Sequence, residues 1–134
     1  PRAEISEALG EAVLHLVPQD PAGARFALPS KVFSIMAAQR AYIATAGLGT
    51  PLEVTTRISG AGVCVPPGDV SAFADVVEDL LTQDTNRQTL GAAGRNYVKT
   101  VVDRQVVCRA ILELTSGIAL ADTYDGSVRL KSNL

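Results

Sequence analysis

Long hydrophobic runs are missing from this chain. No apolar stretch approaches the ~20 residues that a bilayer-spanning helix needs. Cysteine is scarce: Cys64 and Cys108 are the only two. That excludes a disulfide-stapled scaffold. They read as two small buried apolar groups in a reducing, cytoplasmic setting. Histidine is scarcer, with His15 alone, and there is no Cys-x-x-Cys, so a zinc site is not expected. An excess of either charge is also lacking. The net charge is −2, with a pI near 5.3, which gives no footprint for nucleic acid and no basic patch for an anionic membrane. No signal peptide is read at the start. A beginning at Pro1 rather than Met reads as a piece of something longer.

What is present suits a folded domain. The 134 residues are 47% hydrophobic and 19% charged, enough for one core and too apolar for disorder. Glu4 to Ala12 has Ile5, Ala8, Leu9 and Ala12 on one helical face. Val13 to Val17 is an apolar run closed by Pro18, expected to be a strand covered on both faces. His15, mid-run, reads as a satisfied core histidine. Gln19 to Ala27 is a loop. Ser30 is expected to cap a helix that buries Val32, Phe33, Met36 and Ala37.

Ala41 to Thr45 is the second strand. Thr50-Pro51-Leu52-Glu53 is a helix start, with Thr50 as cap, Pro51 at the first helical position and Glu53 completing a capping box. Gly60 and Gly62 end that helix, and Val63 to Val65 is the third strand. Asp69 caps the next helix, whose stripe is Phe73, Val76, Val77, Leu80 and Leu81. Thr85 or Asn86 opens another, carrying Leu90, Ala93, Tyr97, Val98 and Val101. Asp103 caps a last one with Val107, Ala110, Ile111, Leu114 and Ile118. Strands alternating with helices predict an α/β domain: a partial Rossmann-like parallel sheet of three strands with flanking helices and right-handed crossovers. The domain is expected over 1–122, with a disordered polar tail over 123–134.

Ser30 and Lys31 open a helix just past a strand. First-turn amides there suit a diphosphate, and Lys31 adds a point charge. The plain alternative is a capping serine and a solvated lysine. Ser34, one turn on, is placed to donate to a ribose hydroxyl, or is a helix-face serine of no consequence. Arg25, in the preceding loop, is a candidate phosphate contact or an ordinary loop arginine. Gly49 permits close backbone approach. Thr50 and Glu53 are either ligand contacts or a self-sufficient helix start. Asp69 reads as a cap only. No local carboxylate pair suggests a hydrolase.

Four blocks in order, Pro29-Ser30-Lys31, Met36-Ala37-Ala38, Ile43-Ala44-Thr45 and Pro66-Pro67-Gly68-Asp69, resemble the carboxyl-terminal domain of family 4 glycosyltransferases of the GT-B fold. The closest flavour is the exopolysaccharide and colanic-acid type, and the similarity runs from about Glu4 to about Ser116. Gly91-Ala92-Ala93-Gly94-Arg95 with Tyr97 fits the family's late helix. The resemblance implies the later half of a donor domain, binding a nucleoside-diphosphate sugar past the carboxyl ends of the strands. Ser30, Lys31, Ser34, Arg25, Gly49, Thr50 and Glu53 become donor-binding candidates, none of them a nucleophile. It implies no bound metal or other cofactor, since amides, Lys and Arg offset the leaving diphosphate.

The resemblance also implies a partner amino-terminal GT-B domain, an acceptor that is a polysaccharide or lipid-linked, and peripheral membrane association of the full-length enzyme. The family's paired glutamates fall by register at Phe26 and Ser34. Its glycine after Ala38 is Gln39, and its proline after Arg40 is Ala41. The alternative reading is a catalytically inert, truncated α/β module that acts only in protein packing. A sugar-nucleotide epimerase shares the fold, but the Pro-Ser-Lys block argues against it. An uncovered Val13–Val17 edge is expected to make the chain self-associate.

Overall fold

Three short parallel strands organise residues 1–99, the first of two units in the chain. The computed structural model describes residues 2–20 and 26–122. Arg25 and the expected tail over 123–134 lie outside them. The elements run α1 (Arg2–Glu11), β1 (His15–Pro18), α2 (Lys31–Ala37), β2 (Tyr42–Thr45), α3 (Pro51–Ser59), β3 (Gly62–Val65), α4 (Val70–Thr82) and α5 (Asp84–Tyr97). The sheet order is β1-β2-β3, with Leu16 opposite Ile43 and Ile43 opposite Val63. The mixed α/β class with a three-stranded parallel sheet flanked by helices is as expected.

Side-chain alternation splits the sheet into two packed faces. Val17, Tyr42 and Ala44 face one way, against Val32, Ile35 and Met36 of α2 and Leu52 of α3. Ile43 and Val65 face the other way, against Leu80, Phe73, Val76 and Val77 of α4. β2, in the middle, has Tyr42, Ile43 and Ala44 fully buried. In the α2 face Ile35 is buried and Phe33 only partly so. Leu81, expected in the α4 stripe, is exposed.

β1 corrects one expectation. It is not covered on both faces: Val17 is buried, but Leu16 is half exposed. The reason is positional. The α4 cluster reaches only Leu14 from the β1 segment, so this edge strand has a helix layer on one side. His15 is held as expected, its Nε2 lying 3.0 Å from the Leu9 carbonyl oxygen.

Helix ends follow local chemistry in most places. Gly60 ends α3 at φ 61°, the left-handed conformation that glycine tolerates. Gly62 does not end α3 but begins β3, where a Cβ would come within 2.3 Å of the Tyr42 carbonyl oxygen. Asp69 Oδ1 accepts the Ala72 amide at 3.0 Å and caps α4. α5 begins at Asp84, earlier than expected; its buried positions are Gly91 and Gly94, while the expected Leu90, Tyr97 and Val98 pack against the core partly buried.

The second unit begins at Thr100. A single turn of π-helix over Val98–Val102 leads into α6 (Arg104–Asp122). Asp103 starts α6, its Oδ1 accepting from the Gln105 amide at 2.8 Å. Val107, Ile111 and Leu114 are exposed, and the Ile118 side chain lies outside the described set. Cys108 is exposed, not buried as expected, and Cys64 is half-buried; both are free thiols. No described helix is long and apolar enough to cross a membrane.

Candidate functional site

The carboxyl ends of β1, β2 and β3 are each followed along the chain by the start of a helix: Ser30–Lys31, Thr50–Pro51 and Asp69–Val70. Ser30, Lys31 and Ser34 lie exposed in and just past the first turn of α2. Ser30 does not cap α2. Its backbone is already helical, at φ −60° and ψ −22°, and its hydroxyl makes no cap bond. A capping side chain needs an extended backbone to reach the first-turn amides. The Val32 and Phe33 amides donate instead to the Pro29 and Ser30 carbonyls, each at 3.2 Å. Any anion at this turn therefore meets Lys31 and the Ser30 hydroxyl rather than those two amides.

The Gly47–Glu53 turn is bound into itself. Thr50 is extended, with ψ 155°, and Pro51 holds the first helical position, as expected. The expected capping box does not form: the Thr50 side chain makes no cap bond, and Glu53 reaches back to Gly49 rather than to Thr50. Glu53 Oε2 accepts the Gly49 amide at 3.0 Å, and the Thr50 hydroxyl donates to the Gly47 carbonyl at 2.7 Å. Glu53 Oε1 accepts from Arg57 Nε at 3.1 Å. Glu53 is thus buried and bonded through both oxygens, while Gly49 stands exposed at φ 77°. The structure brings Gly49, Thr50 and Glu53 together. Among the described residues no hydrogen bond joins them to Ser30, Lys31 or Ser34.

Two titratable groups on the α2–α3 face of the sheet are shifted by burial. The Cys64 thiol is pushed up by burial first and by the Glu53 carboxylate second, and its Sγ lies 3.8 Å from the Ala46 carbonyl oxygen. Burial likewise raises Tyr42, whose hydroxyl lies 2.9 Å from Thr56 Oγ1. Neither approaches neutrality as a nucleophile. Among the described residues no three His, Cys, Asp or Glu side chains gather to hold a metal ion.

α2 ends in a Schellman motif. The Arg40 amide donates to the Ile35 carbonyl and the Gln39 amide to the Met36 carbonyl, at 3.2 and 3.0 Å. That geometry requires a left-handed residue, usually glycine, and Gln39 fills it at φ 58°.

Sequence reading missed a cavity at the opposite, amino ends of the strands. It holds about 190 Å³ and is lined by Val13, Gln39, Arg40, Ala41 and, from α5, Asp84, Arg87 and Gln88. None of the expected donor-binding residues lines it. The only sequence signal was that Gln39 and Ala41, on either side of Arg40, depart from the pattern of the family the chain resembles. The chain matches no family model, no curated protein and no solved structure.

Proposed function

We propose that this chain is the donor-binding portion of a GT-B glycosyltransferase. The full enzyme moves a sugar from a nucleoside diphosphate to a polysaccharide or lipid-linked acceptor. The observation that carries the reading is the placement of Ser30–Lys31 and Gly49–Thr50 on successive loops past the carboxyl ends of adjacent parallel strands. In open α/β sheets that edge is where ligands sit. Lys31 supplies a mobile positive charge for the diphosphate, and the exposed Gly49 backbone allows close approach. The resemblance gains support at Gln39, because the family's glycine falls at the one non-glycine residue among those described with a left-handed backbone. Binding and orientation are the tasks of these residues, and the chemistry needs the rest of the enzyme.

A second reading, an inert packing module, is favoured by the Glu53 carboxylate, which is spent on Gly49 and Arg57. Calorimetric titration with uridine and guanosine diphosphates separates the two. The donor reading expects heat from at least one, reduced in Lys31→Ala. Absence of heat at millimolar ligand leaves the packing module.

A further inference from the structure

The cavity at the amino ends of the strands plays no part in the donor reading. Its 190 Å³ has room for roughly six waters at ~30 Å³ each, and falls short of the ~300 Å³ at which drug-sized sites begin. A phosphate or carboxylate group fits within it. The wall is charged. Arg40 and Arg87 bring two positive groups and Asp84 one negative, so the lining carries a formal +1.

Asp84 is already engaged on both oxygens. Oδ1 accepts from Arg87 Nη2 at 2.8 Å and Oδ2 from Gln88 Nε2 at 2.6 Å. Arg87 is fixed further by donating to the Leu80 and Leu81 carbonyls at the end of α4. The surplus charge therefore resides on Arg40, which stands in neither of the ion pairs Arg57–Glu53 and Arg87–Asp84. Arg40 Nη2 donates to the Gly10 carbonyl, while its Nε is withdrawn from solvent with no acceptor. A buried Nε–H without an acceptor is unfavourable until one arrives. The wall around it is stiff. Gln39 is locked in the Schellman turn, and α5 packs so closely that a Cβ on Gly91 would lie 2.3 Å from the Gln39 carbonyl oxygen.

We propose that this cavity is an oxyanion site, taking the phosphoryl or carboxyl group of a small molecule against Arg40 and Arg87. Binding requires the Arg40 side chain to turn and release the Gly10 carbonyl, so that its Nε–H and planar fork face the bound oxygens and form charge-assisted bonds. Arg87 supplies a second positive charge from a fixed position. Asp84 sets the affinity by partly offsetting both.

The test is a titration of the whole chain with inorganic phosphate, and separately acetate, at constant ionic strength, with chloride as reference. Arginine Nε–Hε resonances report the site directly, and Arg40 is assigned by its loss in Arg40→Lys. The expected result is a saturable shift of the Arg40 signal with phosphate or acetate and not with chloride. Whichever ion binds tells which group the site takes. Arg40→Lys, which keeps charge but loses the fork, binds about tenfold more weakly.

Arg40 also ties α1 through Gly10, so two exposed positions on α5 serve as variants that keep the fold. Gln88→Glu weakens binding about tenfold, and Asp84→Asn tightens it severalfold. Lys31→Ala leaves the Arg40 shift unchanged, which separates this site from the donor edge. Shifts no larger than those in chloride overturn the proposal, as do unchanged affinities in both Gln88→Glu and Asp84→Asn.

Discussion

Gln39 holds a backbone conformation that costs an L-residue about 1–2 kcal/mol. It persists because two hydrogen bonds of the α2 terminus depend on it. Gln39→Val is therefore expected to lower stability by about 1–2 kcal/mol, since β-branching aggravates a left-handed backbone. Gln39→Gly should leave it within about 0.5 kcal/mol or raise it, strain relief working against the greater unfolded freedom of glycine. Urea midpoints check both.

Tyr42 is the other telling residue. The Thr56 hydroxyl donates to the Leu52 carbonyl, so the Tyr42 hydroxyl donates to Thr56 Oγ1. Tyr42→Phe should cost about 1 kcal/mol. Tyr42 and Cys64 are both raised by burial. The unfolded chain then releases these protons first and binds fewer of them as pH climbs. The contribution of these two groups to stability is level through neutrality and falls as pH rises into and past the ordinary thiol and phenol range, about 8.5–10. Unfolding midpoints in Tyr42→Phe and Cys64→Ala should show a shallower alkaline decline than in the parent.

Elements were legible in the sequence where a local rule decides them. Thr50-Pro51 and Asp69 begin helices at the expected places because proline geometry and a short acidic cap act within one turn. Ser30 failed because its own backbone angles, not its side-chain type, decide whether a hydroxyl caps. The two-sided cover expected for β1 failed because it depends on where α4 lies, which no local pattern encodes. Hydrophobic periodicity pointed α5 inward on Leu90, Ala93 and Tyr97, and Leu90 and Tyr97 do pack, partly buried, against the core, but the closest approach is made at Gly91 and Gly94. Glycine carries no hydropathy signal, so such contacts are silent.

That contact predicts a substitution with the wrong sign for simple helix propensity. Gly91→Ala gains about 1 kcal/mol of propensity. Its Cβ would lie 2.3 Å from the Gln39 carbonyl oxygen, a backbone atom that cannot swing aside. Overpacking of this kind costs about 1–3 kcal/mol, and a backbone clash belongs at the upper end, so the variant should melt lower. A higher melting temperature would mean that α5 sits farther from the α2 terminus. The amino-end cavity was illegible for a related reason: it joins residues 39–41 to residues 84–88, which meet only through the fold.

At the scale of the whole chain, the near-neutral charge leaves shape and edges to govern association. Strand alternation turns the Leu16 amide and carbonyl outward, because His15 donates inward to the Ala41 carbonyl. Val13 and Leu16 also expose their side chains. Pro18 removes one outward donor and shortens the usable edge. The account predicts concentration-dependent self-association that Leu16→Lys weakens, read by sedimentation velocity. A monomer at every concentration would contradict it.

The most direct measurement is an amide chemical-shift map of the chain titrated with uridine diphosphate and, separately, guanosine diphosphate. The account predicts saturable shifts, with one nucleotide or the other, concentrated at Ser30–Lys31 and Gly49–Leu52 past the carboxyl ends of β1 and β2. Shifts that avoid both loops, or a spectrum unmoved by either diphosphate at millimolar concentration, would contradict it.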